Sequence, residues 1–137
     1  MRIDNKQSRY KAVEPPYPKA LEMRKKPLGK EHPDVSASLN NLANLYNNQG
    51  RYEAAEPLYL EALKIGKKLL GEEHPDIATS LNNLAGLYRV QGRYLKAEPL
   101  YQQALKIAEK TLGNTHPKTI TIKENYKLLN LLQKYEF

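Results

Sequence analysis

The chain has 137 residues, 22 basic and 15 acidic, with a net charge of +7 and neither cysteine nor tryptophan. That is single-domain size, and the missing cysteines exclude a disulfide scaffold, a thiolate zinc site and a cysteine nucleophile. No apolar run approaches the ~18 to 20 residues of a membrane span, and the polar start Met1-Arg2-Ile3-Asp4-Asn5-Lys6-Gln7 lacks a secretory segment, so a cytoplasmic protein without a membrane partner is expected.

The predicted elements follow a 42-residue register. Gly29, Gly71 and Gly113 keep this spacing, as do His32, His74 and His116, and Pro33, Pro75 and Pro117. Residues 29–70 and 71–112 are identical at 28 of 42 positions. Such a period marks a repeat architecture in which each unit is one supersecondary element. Residues 1–28 read as a degenerate second-half unit with a basic extension, because Gln7-Ser8-Arg9-Tyr10 falls on Gln49-Gly50-Arg51-Tyr52. Pro15, Pro16, Pro18 and Pro27 predict a short or broken helix there.

Residues 29–70 form the first whole unit. Its first helix opens at Pro33, where a missing N–H costs nothing, and Asp34 in the first turn suits the helix dipole. Leu39, Leu42, Ala43 and Tyr46 form an apolar stripe at helical spacing, and Gly50 stops the helix. The second helix carries Tyr52, Ala55, Leu58, Tyr59, Ala62, Leu63 and Ile65 on one face. Pro57 lies about five residues inside it, which predicts a distorted first turn or a bend. Residues 71–112 repeat this plan from Pro75, with Gly92 as the stop and Pro99 as the interior proline. Residues 113–137 hold a half unit, a capping helix in which Lys123 and Lys127 replace Leu81 and Ala85. Lone helix pairs cannot bury their stripes, so an all-α solenoid of stacked antiparallel pairs is the expected fold.

The unit L-x-x-L-A-x-L-Y-x-x-Q-G-R-Y-x-x-A-E-x-x-Y-x-x-A-L resembles the tetratricopeptide repeat. Leu42, Ala43, Tyr46, Gly50, Tyr52, Ala55, Tyr59 and Ala62 occupy its signature positions, and Leu84, Ala85, Tyr88, Gly92, Tyr94, Ala97, Tyr101 and Ala104 do so again. The spacing, with L-G-x-E-H-P-D and L-N-N-L-A, is similar to the long subtype of kinesin light chains and many bacterial repeat proteins. The resemblance implies that the first helices line a concave groove whose polar residues hold extended peptides. Carried over by position, the groove set includes Asn40, Asn41, Asn44, Asn47, Asn48, Asn82, Asn83, Gly86, Arg89 and Asn125, with Ala37, Thr79, Val90, Thr121, Glu124 and Leu128 alongside.

The residues themselves agree that these asparagines need an explanation. Asparagine is a poor helix former, yet five crowd the first helix of unit one. A side-chain amide offers both donor and acceptor to a ligand backbone; the competing explanation is that Asn41 and Asn83 bond between helices. Asn41, Asn83 and Asn125 share one register and would form a ladder. Arg89 is the strong cation of the set, so the family's two-cation clamp for terminal carboxylates is incomplete.

Other chemistry is weaker. The three histidines sit one repeat apart, too far to share a metal, and are expected to be turn residues before proline. No nucleophile elbow, phosphate loop or cofactor motif is present. Eight of the ten tyrosines fall in repeat-matched pairs on the apolar stripes, which assigns them to the core. The charge is concentrated in the flanks: +5 over residues 1–28, zero over 29–70 and over 71–112, and +2 over 113–137. This argues against nucleic acid as the partner of the folded body. The expected function is a non-enzymatic protein-interaction module holding a peptide or partner helix. The alternative is a structural segment of a longer array, or self-association through the half-repeat ends.

Overall fold

The computed structural model describes residues 32–135; the half unit expected over 1–28 lies outside them. Five helices and no strands occur among the described residues: α1 Pro33–Asn48, α2 Tyr52–Leu70, α3 Pro75–Val90, α4 Tyr94–Leu112 and α5 Pro117–Tyr135. None is long and apolar enough to cross a membrane. The chain divides into two compact units, one reaching Ile65 and one from Gly66 onward.

In the first unit the stripe of α1 meets α2. Val35, Leu39, Leu42, Ala62 and Ile65 form its core, with Leu45, Tyr46 and Leu58 packed against it. Ala43 and Ala55 are wholly buried. Ser36 donates from Oγ to the Ala62 carbonyl at 2.9 Å. In the second unit α4 packs against both α3 and α5, and α3 also meets α5. Ile77, Leu81, Leu84, Ala85 and Leu87 of α3, Tyr101 and Ala104 of α4, and Ile122 and Leu129 of α5 are buried. Fully burying one Leu or Ile side chain stabilises by about 1.5–3 kcal/mol.

The helix starts and stops are chemical. His32, with φ −85° and ψ 144°, caps α1: its Nδ1 accepts from the Asp34 N–H at 3.1 Å. His74 does the same for Asp76 at 3.0 Å, and His116 for Lys118 at 3.0 Å. The histidines are therefore N-cap residues, a stronger role than the turn residues expected from sequence, and each satisfies one of the orphan donors at a helix start. At the other end, Gly50 and Gly92 adopt φ of 79° and 77°. The N–H of Arg51 reaches the Tyr46 carbonyl at 2.8 Å and that of Gly50 reaches Asn47 at 3.0 Å, the two bonds of a Schellman motif. Arg93 to Tyr88 and Gly92 to Arg89 repeat them. The arginine that follows each glycine folds back over the tyrosine ring, 4.4 Å away for Arg51 on Tyr46 and 4.7 Å for Arg93 on Tyr88.

Pro57 and Pro99 do not break their helices, which run without interruption from Tyr52 and Tyr94. Each proline is exposed. The carbonyl four residues earlier, left without its usual N–H, belongs to Glu53 or Leu95, both exposed, so water can satisfy it.

Candidate functional site

Two groups of the expected groove residues are separated by their partners. The first group serves buried tyrosines. Tyr59 and Tyr101 share a register position and are 1% and 0% exposed. The Tyr59 hydroxyl donates to Asn44 Oδ1 and is also hydrogen-bonded by Asn47. Burial pushes the Tyr59 phenol above its ordinary range, and the bond with Asn47 opposes that shift. In the second unit, position 86 is glycine, and Arg89 supplies the partner instead: its Nε donates to the Tyr101 hydroxyl at 3.2 Å. Asn44, Asn47 and Arg89 thus complete the polar end of a buried phenol. A Cβ added at Gly86 would meet the same hydroxyl at 3.7 Å, an ordinary contact.

The second group lies between α3 and α5. Asn125 donates from Nδ2 to Asn82 Oδ1 at 3.1 Å. The bond runs to Asn82, one residue before the register mate Asn83, which is half-buried on α3. Beside the pair is an open cavity of about 260 Å³ lined by Thr79, Asn82, Lys118, Thr121 and Ile122. Thr79 Oγ1 is buried and has no hydrogen-bond partner among the described residues. No carboxylate lines the cavity. Its polar groups are an ammonium, which only donates, two hydroxyls, which donate and accept, and an amide whose Nδ2 is free to donate. On α1, Asn41 and Asn48 are exposed and Asn40 is half-buried.

Lys118 was not among the residues singled out from the sequence. The signal was present: the register has Asp34, Asp76 and then Lys118. A cation in the first turn opposes the helix dipole by about 0.3–1 kcal/mol, so this substitution breaks a local rule at the edge of the cavity. Among the described residues no group of His, Cys, Asp or Glu could hold a metal ion.

The tetratricopeptide repeat family matches residues 35–76 and again 76–136. The chain belongs to this family. No curated protein matches it. Among solved structures, BtubC (BKLC) from P. vanneervenii is 29% identical with a TM-score of 0.83, over 96% of this chain and 52% of that one. The nearly identical TPR-like repeats assigned to a kinesin light chain of Podosopora anserina are 26% identical with a TM-score of 0.83. A point variant of the latter gives 26% and 0.84. Both Podosopora structures match over 94% of this chain and 61% of theirs. The tetratricopeptide repeat chain therefore spans between half and two thirds of the structures it is similar to. Its fold class is the all-α solenoid of that family, whose members are generally protein-interaction modules.

Proposed function

We propose that this chain is a non-enzymatic, cytoplasmic interaction module that holds an extended peptide along α3 and α5. The observation that carries the proposal is the Asn125–Asn82 bond beside the cavity. It consumes one amide N–H and one amide oxygen, and leaves Asn82 Nδ2 and Asn125 Oδ1. Those are the complements of a peptide C=O and N–H. The donors of Lys118, Thr79 and Thr121 suit an acidic or hydroxylated side chain, over an apolar floor that includes Ile122. Asn83 and Gly86 flank this site on α3, and Asn40, Asn41 and Asn48 give α1 its own polar contacts.

The test uses peptides selected by phage display on the wild type. Asn82→Ala and Lys118→Glu should each weaken a selected peptide about ten-fold, because a lost partner leaves a desolvated group unpaired at about 1–3 kcal/mol. A lower melting temperature with unchanged affinity would assign Asn82 to the scaffold alone. A second reading, self-association, is favoured by the stripe of Ile120, Leu128, Leu131 and Tyr135 exposed on α5. Light scattering at two concentrations distinguishes it: a mass that rises with concentration supports association.

A further inference from the structure

The last helix reverses the pattern of the first helices before it. At four register positions the earlier repeats carry small or polar side chains: Ser36 and Ala78, Asn44 and Gly86, Asn47 and Arg89, Arg51 and Arg93. At the same positions α5 has Ile120, Leu128, Leu131 and Tyr135, and all four are exposed. At three other positions the exchange runs the opposite way. Leu39 and Leu81 become Lys123, Ala43 and Ala85 become Lys127, and Gly50 and Gly92 become Lys134. Without that glycine, α5 runs on past the point where α1 and α3 stop.

At 3.6 residues per turn, Ile120, Leu131, Glu124, Tyr135 and Leu128 share one arc of about 80°. The three lysines occupy the adjoining sector, about 40° wide. Thr119, Ile122 and Leu129, the buried residues of α5, lie on the opposite side. The helix is thus apolar on two faces, and the second unit covers one of them. Lys127 and Lys134 are exposed and Lys123 is half-buried. None of the three makes an ion pair among the described residues. The Lys134 ammonium lies 5.6 Å from the centre of the Tyr135 ring, which ties the cationic row to the apolar stripe.

These charges decide between occupants. A two-fold pair of antiparallel α5 helices would set the lysine row against its own copy. A parallel pair would need the other flank, where Asn125 is committed to Asn82 of α3. A further repeat helix with the apolar face of α2 or α4 would bury Lys123 and Lys127 unpaired. A bilayer would bury the Glu124 carboxylate, which sits in the middle of the stripe. A helix with carboxylates beside its own apolar stripe meets none of these costs, because it pairs the lysines and can set one donor opposite Glu124.

We propose that the outer face of α5 docks an acidic amphipathic helix of a partner protein. Its apolar residues, spaced by three and four, lie on Ile120, Leu128, Leu131 and Tyr135, and its carboxylates pair with Lys123, Lys127 and Lys134. This surface does not rest on the peptide site proposed above.

The probes are two synthetic helical peptides of about three heptads with leucine at both apolar positions, one flanked by glutamate and the other by lysine. Fluorescence anisotropy follows their titration with the full chain. The glutamate peptide should bind about ten-fold more tightly than the lysine peptide, because like charges across an interface are strongly disfavoured. Lys127→Glu combined with Lys134→Glu should reverse the preference. Leu131→Ser combined with Tyr135→Ser should abolish binding of both peptides and leave the melting temperature unchanged, since both side chains are already exposed. No binding, equal binding of the two peptides, or a preference that survives the lysine exchange would overturn the proposal. Two further outcomes would reassign the face. A mass that rises with concentration, and no longer does so in the serine variant, would give it to a second copy. Co-sedimentation with phosphatidylserine vesicles that the serine variant loses would give it to a membrane.

Discussion

The buried tyrosine hydroxyls show how one residue position can keep its role while its partners change. Tyr59 uses Asn44 and Asn47; Tyr101 uses Arg89. A buried phenol left unpaired would cost about 1–3 kcal/mol, and this is one physical return for two of the five costly asparagines of α1. The stripe that buries both tyrosines was legible in the sequence. The identity of the hydroxyl partners was not, because it depends on which side chain of the facing helix reaches the ring edge. The raised Tyr59 phenol has a pH consequence. Its folded form holds the proton more tightly than the unfolded chain does, so its contribution to stability is complete below the ordinary tyrosine range near 10 and is lost as pH rises through the folded value. Urea midpoints of the wild type should fall between pH 9 and 11.5 more steeply than those of Tyr59→Phe, although Tyr59→Phe is the less stable at pH 7. Parallel profiles would mean that burial of this phenol does not perturb its titration.

At the scale of the helix, two glycines close together in sequence should respond in opposite ways. Gly92 ends α3 with φ of 77°, and a Cβ there would meet nothing within 4 Å. The whole cost of Gly92→Ala is therefore backbone strain in the left-handed region, about 1–2 kcal/mol. Gly86 lies inside α3, where its added Cβ makes only an ordinary contact with the Tyr101 hydroxyl. Gly86→Ala should stabilise by up to about 1 kcal/mol by lowering the entropy of the unfolded chain. Urea denaturation of the two variants measures both signs, and a destabilised Gly86→Ala would mean that the ordinary contact conceals a steric conflict. The stop at Gly92 was readable because a single residue type does the work. The histidine caps were less so: proline at the first helical position marked where each helix begins, but the bond to Nδ1 required the backbone to be seen turning.

Across the whole molecule, the repeat register carried the fold because every unit had to present the same stripe to its neighbours. It carried much less of the candidate site, which lies where the register breaks: Lys118 for aspartate, and an amide bond from Asn125 to Asn82 rather than to Asn83. The charge distribution separates the same two aspects of the chain. Whole units 29–70 and 71–112 are neutral, whereas residues 1–28 carry +5. Any affinity for single-stranded oligonucleotides should therefore come from that flank, by counterion release, with log K falling by about 0.7 per phosphate neutralised for each decade of salt. Replacing Arg24, Lys25 and Lys26 by Gln should reduce that slope by roughly two, while leaving affinity for a selected peptide unchanged. Fluorescence anisotropy with a mixed oligonucleotide across a salt series, and peptide titration on the same variant, measure both. If the slope survives the substitutions, or the oligonucleotide competes with the peptide, the basic contacts lie on the folded repeats and the Lys118 cavity becomes a phosphate site rather than a peptide pocket.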